Sequence, residues 1–414
     1  MAELQDGIYY KEGQRPGNSY CVSFLDIQGN MDAKSIGKEL SELWEAYSDV
    51  KSDIAKRSVY KDNSGSLIDL SILLGYGSSA FLVPDILKQK PRDFNEKYNF
   101  CEVGRGNAIV ENTSLLYRDG LTENPVASSC ITVQFISNDE SITKFAWTKT
   151  SEFLKNYLNE NENAGLYIRK FYTGYNRPDS RSWLGFYDGI SNIRSSERES
   201  IISISEKNLE PTDLWTLKGT YMSFIRMGID VERWNKTEER IQERIVGRDK
   251  ATGCPIIGVN DDRNVLLSGC PTYGTDNVIQ YGNQIFRSIS ENYGNPNDGA
   301  IKQLESSHMN RMVNGFTKLD SKGEQSKIFR QGYDYLEPSD NYPYYSAGLN
   351  FVSFQNNPEK LYNLLKYGFK YNFRNEVNEP DLELSDFVRV ESAGLFFVPA
   401  FSPENKFPGS ILFQ

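Results

Sequence analysis

Histidine is almost absent from this chain: among 414 residues there is one, His308. That count excludes a metal site built from several imidazoles, and it obliges any Ser-His-Asp or Cys-His chemistry to use His308. Cysteine is scarce and poorly spaced. Cys21, Cys101, Cys130, Cys254 and Cys270 form no C-x-x-C pair, so they are expected to be small buried hydrophobes in a reducing compartment. Positive charge is outweighed, with 46 Lys and Arg against 56 Asp and Glu and a net charge of −10. A nucleic-acid binder needs a basic field to offset phosphates, and that class is excluded. No apolar run approaches the ~18 residues that cross a bilayer. The opening Met1-Ala2-Glu3-Leu4-Gln5-Asp6 lacks the basic and apolar regions of a secretion signal. The expected location is the cytoplasm.

What the chain has in quantity is core-forming residues: 38% are hydrophobic, with 23 Phe, 25 Tyr and 5 Trp. Disorder is excluded. Ser19–Ile27 alternates and is aromatic-rich, which predicts a strand. Ile36, Leu40, Leu43, Trp44 and Tyr47 follow at helical spacing. Strands are predicted over 67–74 and 130–136, and a helix over 142–158. The second half repeats this order, with a strand at 219–227, a helix over 231–246, a strand at 348–354 and a helix over 358–367. Strand-helix-strand occurring twice in each half predicts an α+β fold of two ferredoxin-like modules, residues 1–205 and 206–414, packed as one body. The end, 407–414, reads as a packed terminus, with a docking peptide for a larger assembly as the alternative.

Three segments could carry chemistry. In Gly185-Phe186-Tyr187-Asp188-Gly189 two glycines bracket an aspartate, which lets the backbone approach a flat partner while the carboxylate projects. Taken alone, Asp188-Gly189 also suits a surface turn. Ile301, Leu304, His308 and Met312 share one side of a predicted helix over 301–313, so His308 faces inward. It is either a satisfied core histidine or a single axial ligand, and haem iron needs only one protein nitrogen. Arg330 lies between Ile328-Phe329 and Tyr333. Such an arginine either snorkels at the surface or pairs with an anion.

Together, these segments resemble the dye-decolorizing peroxidase family of haem enzymes. The G-F-x-D-G signature stands as Gly185, Phe186, Asp188 and Gly189, and the H-x-x-R motif as His308 and Arg311. The distal arginine block is matched by 330–335, and the turn Gly247-Arg248 through Thr252-Gly253-Cys254-Pro255 has its counterpart. So do Leu73-Leu74-Gly75-Tyr76-Gly77 and Gly394-Leu395-Phe396-Phe397-Val398-Pro399, and the likeness runs over almost the whole chain. The chain departs from the pattern at Ile193, at Met312-Val313-Asn314-Gly315, at Gln331 and at Gly332. The gap from Asp188 to His308 suits a larger branch of the family.

The resemblance implies haem b, bound through His308 as axial ligand, with Arg311, Asn192, Gly189 and Arg330 contacting the cofactor. It implies that Asp188 and Arg330 are catalytic. A carboxylate should accept from the other nitrogen of His308, with Glu391 as first choice and Asp386 as second. The implied reaction reduces hydrogen peroxide and oxidises dyes, phenols or other small organic reductants in one-electron steps. The alternatives are a haem or porphyrin binder serving iron release or porphyrinogen oxidation, and a non-enzymatic α+β binding or packaging module. A homo-oligomer and an encapsulating or assembly partner stay open.

Overall fold

The computed structural model describes residues 2–29, 31–57, 61, 68–86, 88, 90–100, 116–161, 164–187, 193, 195–207, 209–251, 253, 307–368 and 382–414. The first half is built from β1 (Ser19–Ile27), α1 (Ala33–Lys56), β2 (Leu70–Gly77), β3 (Ile131–Ser137), α2 (Glu140–Glu160) and β4 (Leu166–Tyr175). Asp32 caps α1 by accepting from the Ser35 amide at 2.7 Å, and Asp139 caps α2 through Ser141 at the same distance. These strands lie antiparallel in the order β4-β1-β3-β2, the arrangement of a ferredoxin-like module.

After α3 (Ser195–Ile202) the pattern returns with β5 (Thr220–Ile229), the short helices α4 (Val231–Lys236) and α5 (Glu239–Val246), and α6 (His308–Phe316). Next come β6 (Phe329–Arg330), β7 (Tyr333–Pro338), β8 (Tyr345–Gln355), α7 (Pro358–Gly368) and β9 (Val388–Val398). Again the order is ferredoxin-like, β9-β5-β8-β7, with β6 continuing along the same edge of β8 as β7. The division between modules expected at 205 and 206 falls in the connection from β4 to β5.

The two sheets join at both sides. β2 pairs with β9 through Tyr76 and Gly77, and β4 pairs with β7 through Tyr175 and Asp334. Since β5 also pairs with β8, the eight long strands close into a ring. Side chains alternate across it. Tyr20, Val22, Phe24, Met222, Phe224, Val352, Phe354, Phe396 and Val398 form an interior core. Cys21, Leu25, Ile72, Leu74, Val133 and Phe135 pack outward with α1 and α2. Tyr221, Ile225, Leu395 and Phe397 pack outward with Leu361, Leu364 and Leu365 of α7.

Two local expectations change. The helix over 231–246 is interrupted: α4 ends at Lys236, and α5 restarts after Glu238. The strand expected to end at Leu74 continues through Gly77. Glycine fits there because a side chain at Gly75 would press on Thr132 and Val398, and one at Gly77 on the Ser129 backbone. Of the helix over 301–313, residues 301–306 lie outside the described residues, and α6 begins at His308. At the terminus, Phe407, Leu412 and Phe413 are buried in the core under α1, and the Tyr76 hydroxyl donates to Pro408 O at 2.6 Å. Residues 407–413 are thus packed against the body. Cys21 and Cys130 are buried, as expected of hydrophobic thiols. No helix among the described residues is long and apolar enough to cross a membrane.

Phe224 is fully buried in the ring, 5.0 Å from the Phe24 ring and 5.6 Å from that of Tyr172. Phe224→Ala is expected to cost about 3–5 kcal/mol of unfolding free energy in urea titration. A loss under ~1 kcal/mol would mean that the ring interior is not a close-packed core.

Candidate functional site

β5 separates two environments. Met222, Phe224 and Arg226 face the ring interior, whereas Ile225, Met227 and Ile229 line an apolar cavity outside it. Leu349 and Phe351 of β8 and Val388 of β9 continue the floor, and Met309, Met312 and Phe316 of α6 with Leu361, Leu364 and Leu365 of α7 form the cover. The polar lining groups are few: Ser182, Tyr187, Arg248, His308 and Arg330.

His308 enters this wall as the first residue of α6. The neighbouring α5 ends at Gly247 in the left-handed region, with φ of +82°. A side chain there would strike Ser307, so only glycine allows the two helix ends to approach. Arg248 follows directly and donates to Gly253 O at 2.6 Å. Arg330 arrives by strand alternation: Phe329 packs in the ring interior, so the next side chain emerges on the cavity side.

The segment before Asp188 is clamped at the cavity edge. Arg181 donates to Gly185 O and Lys250 O at 2.6 Å and to Ala251 O at 2.8 Å, and its guanidinium lies 4.0 Å from the Tyr187 ring centre. Gly185 turns with φ of +86°. The Trp234 indole donates to Leu184 O at 2.9 Å, and Phe186 is buried edge-on against the same ring. Ser182, Leu184, Phe186 and Tyr187 all line the cavity. Asp188, Gly189 and Asn192 lie outside the described residues.

Burial lowers the pKa of His308 most, and the charges of Arg311, Arg330 and Arg248 lower it further, to about 3. The imidazole is therefore neutral near pH 7, the form that ligates a metal. A neutral ring nitrogen in a hydrocarbon slot with guanidinium groups around it fits an iron porphyrin. The slot would take the macrocycle, the imidazole would take the iron, and the cations would suit its carboxylates.

The structure thus brings His308 and Arg330 together, with Arg311 close enough to act on the imidazole. It does not bring Glu391 to them. That carboxylate accepts from Arg226 Nε at 3.0 Å, Arg118 Nη1 at 3.2 Å and the Tyr335 hydroxyl at 3.1 Å. Arg226 is on the interior side of β5, away from the cavity, so the expected support of His308 by Glu391 is corrected. Asp386 belongs to the 3₁₀ turn Leu384–Asp386, whose Leu384 lines the cavity, and its carboxylate accepts from the Glu383 amide at 2.8 Å. Sequence reasoning did not single out Arg248 or Arg181. The signal for Arg248 was its place one residue after a glycine in the Gly247–Pro255 turn; Arg181 carried none.

A family model described as "Dyp-type peroxidase, C-terminal" matches residues 179–402. The chain is 28% identical over 235 residues to proteins named deferrochelatase from Escherichia coli (strain K12) and Shigella sonnei (strain Ss046), which is 56% of this chain and 45% of each relative. The match therefore spans about half the length of those relatives. Among solved structures, ferric DtpA from Streptomyces lividans superposes with a TM-score of 0.61 at 18% identity, covering 100% of this chain and 98% of that one. A DypB variant from Rhodococcus jostii in complex with heme gives a TM-score of 0.56 at 15% identity, covering 93% and 94%. At these identities the superpositions show a shared fold.

A histidine whose folded pKa lies below its ordinary 6.5 is protonated more readily in the unfolded chain. Its contribution is neutral above pH 6.5, and stability is lost as pH falls from there toward 3. In the haem-free protein, wild type is expected to lose stability relative to His308→Gln by up to ~1.4 kcal/mol per pH unit below 6.5. Urea titrations at pH 7, 6 and 5 measure this, and a difference that does not change with pH would contradict it.

Proposed function

The chain belongs to the Dyp-type peroxidase family, and from that premise we propose that it is a haem-dependent peroxidase acting on hydrogen peroxide and small organic reductants. The observation that carries the reading is the pairing of a neutral His308 and Arg330 on the walls of one apolar cavity. His308 would hold the iron of haem b. Arg311, Arg248 and Arg330 offer guanidinium groups to its anionic carboxylates, and Gly189 and Asn192 are the further contacts implied by the motif. Asp386 is the carboxylate proposed to accept from the second nitrogen of His308. When bound, the haem supplies the redox chemistry that breaks the peroxide bond and then draws single electrons from dyes, phenols or similar donors.

The protein supplies proton movement and charge stabilisation. Asp188 would take the proton from one oxygen of hydrogen peroxide and return it to the other, which leaves as water. Arg330 would stabilise the negative charge that develops as the O–O bond lengthens. The hydrocarbon lining keeps bulk water out, which strengthens both interactions. An ordinary aspartate titrates near 3.9, well below a histidine at about 6.5, so activity should persist into acid.

The test is rapid mixing of reconstituted protein with peroxide from pH 3 to 8. Asp188→Ala is expected to slow the peroxide reaction by ~10²–10⁴-fold at equal haem content, and Arg330→Leu by ~10²–10³-fold. The wild-type rate should hold until pH approaches the aspartate range. Equal rates in wild type and Asp188→Ala would remove the proton-transfer role. A second reading, iron release from a bound porphyrin, is favoured by the name of the 28%-identical relatives. It expects metal-free porphyrin fluorescence to appear after haem loading, at the same rate in Asp188→Ala.

A further inference from the structure

A second cavity, of about 390 Å³, opens elsewhere along the same outer layer. Tyr221 lines it and Ile225 lines the first cavity. Four residues along β5 separate them by ~13 Å. Its walls combine Ile204, Leu209 and the Tyr221 ring with Arg92, Asp93, Asp213 and Lys322.

The charges do not cancel evenly. Lys322 is ion-paired with Asp93, and Arg92 lies 3.5 Å from Glu210. Asp213 has no ion pair among the described residues. Burial, with the nearby charges of Asp93 and Glu210, raises its pKa against the partial relief given by Arg92. An incoming positive charge would relieve that stress. Tyr221 is independent of this carboxylate group and points to the same ligand. It is 1% exposed, its ring is fixed edge-on against Phe94 and Phe397, and its hydroxyl has no hydrogen-bond partner among the described residues. The hydroxyl opens onto the cavity beside Asp93 and Asp213, where a ligand N–H can bond to it.

We propose that this cavity binds a small organic ammonium ion, with its nitrogen between Asp213 and the Tyr221 hydroxyl and its carbon skeleton on Ile204 and Leu209. A bare metal ion fits less well. The volume is that of a small-molecule pocket, and no group of three Asp, Glu, His or Cys among the described residues is arranged to hold a metal. An anion fits less well because Lys322 is ion-paired and the carboxylates of Asp93 and Asp213 face the cavity. The site does not depend on haem chemistry.

Isothermal titration of the full chain with phenethylamine, protonated at pH 7.5, tests this, with 2-phenylethanol and phenylacetate as neutral and anionic analogues. Saturable one-to-one binding of the amine is expected, with both analogues at least tenfold weaker. Asp213→Asn should weaken it about tenfold or more, and Tyr221→Phe about two- to tenfold. Circular dichroism establishes that each variant is folded. If Tyr221→Phe does not fold, Asp213→Asn, on the half-exposed 3₁₀ turn Pro211–Thr216, decides alone. The proposal is overturned by absence of saturable amine binding to wild type, by undiminished affinity in folded Asp213→Asn, or by tighter binding of phenylacetate.

Discussion

Hydrogen bonding of β5 to both β8 and β9 closes the ring, and the two-residue period of a strand then assigns each of its side chains to one of two compartments. Arg226 falls inside, 3% exposed, bonded to Glu391, Glu337 and Asn350 and held 3.4 Å from the Tyr335 ring centre. A guanidinium so enclosed is tolerable only with its carboxylates in place, since removing one partner of a buried pair costs ~3–5 kcal/mol. Ile225 and Met227 fall outside and are free to build a hydrocarbon wall. The cavity is therefore a consequence of ring closure. Its apolar character follows from the same alternation that gives the ring its own core.

That alternation also explains what the sequence shows clearly. The strand at 19–27, the helical spacing of Ile36 through Tyr47, and the repeat of this order in the second half depend on local periodicity, and they fold accordingly. His308 and Arg330 could be singled out because each is chemically conspicuous in apolar surroundings. Glu391 could not be placed by the same means. A register shift between Arg226 and Met227 against β9 decides which way its side chain turns, and a one-residue slip reverses a strand's faces. Arg181 was hidden for a related reason: its partners, Lys250 and Ala251, are about 70 positions away and are backbone carbonyls, which carry no residue-type signal.

The cavity joins parts made by different elements. α6 contributes His308, β6 contributes Arg330, the turn after α5 contributes Arg248, and the clamped segment after β4 contributes Tyr187. Glycines make two of these junctions feasible, Gly247 where two helix ends meet and Gly185 where the chain reverses. Positive charge accumulates around a neutral imidazole. In a low-dielectric site that arrangement favours a ligand carrying anionic groups at its edge and a metal at its centre.

The most direct measurement of this account is an absorption titration of the haem-free protein with ferric haem. One equivalent should produce a sharp Soret band with the ligand-field signature of a single histidine, and His308→Ala should bind more weakly and without that signature. A wild-type protein that shows only the broad spectrum of free haem, or a His308→Ala spectrum identical to wild type, would contradict it.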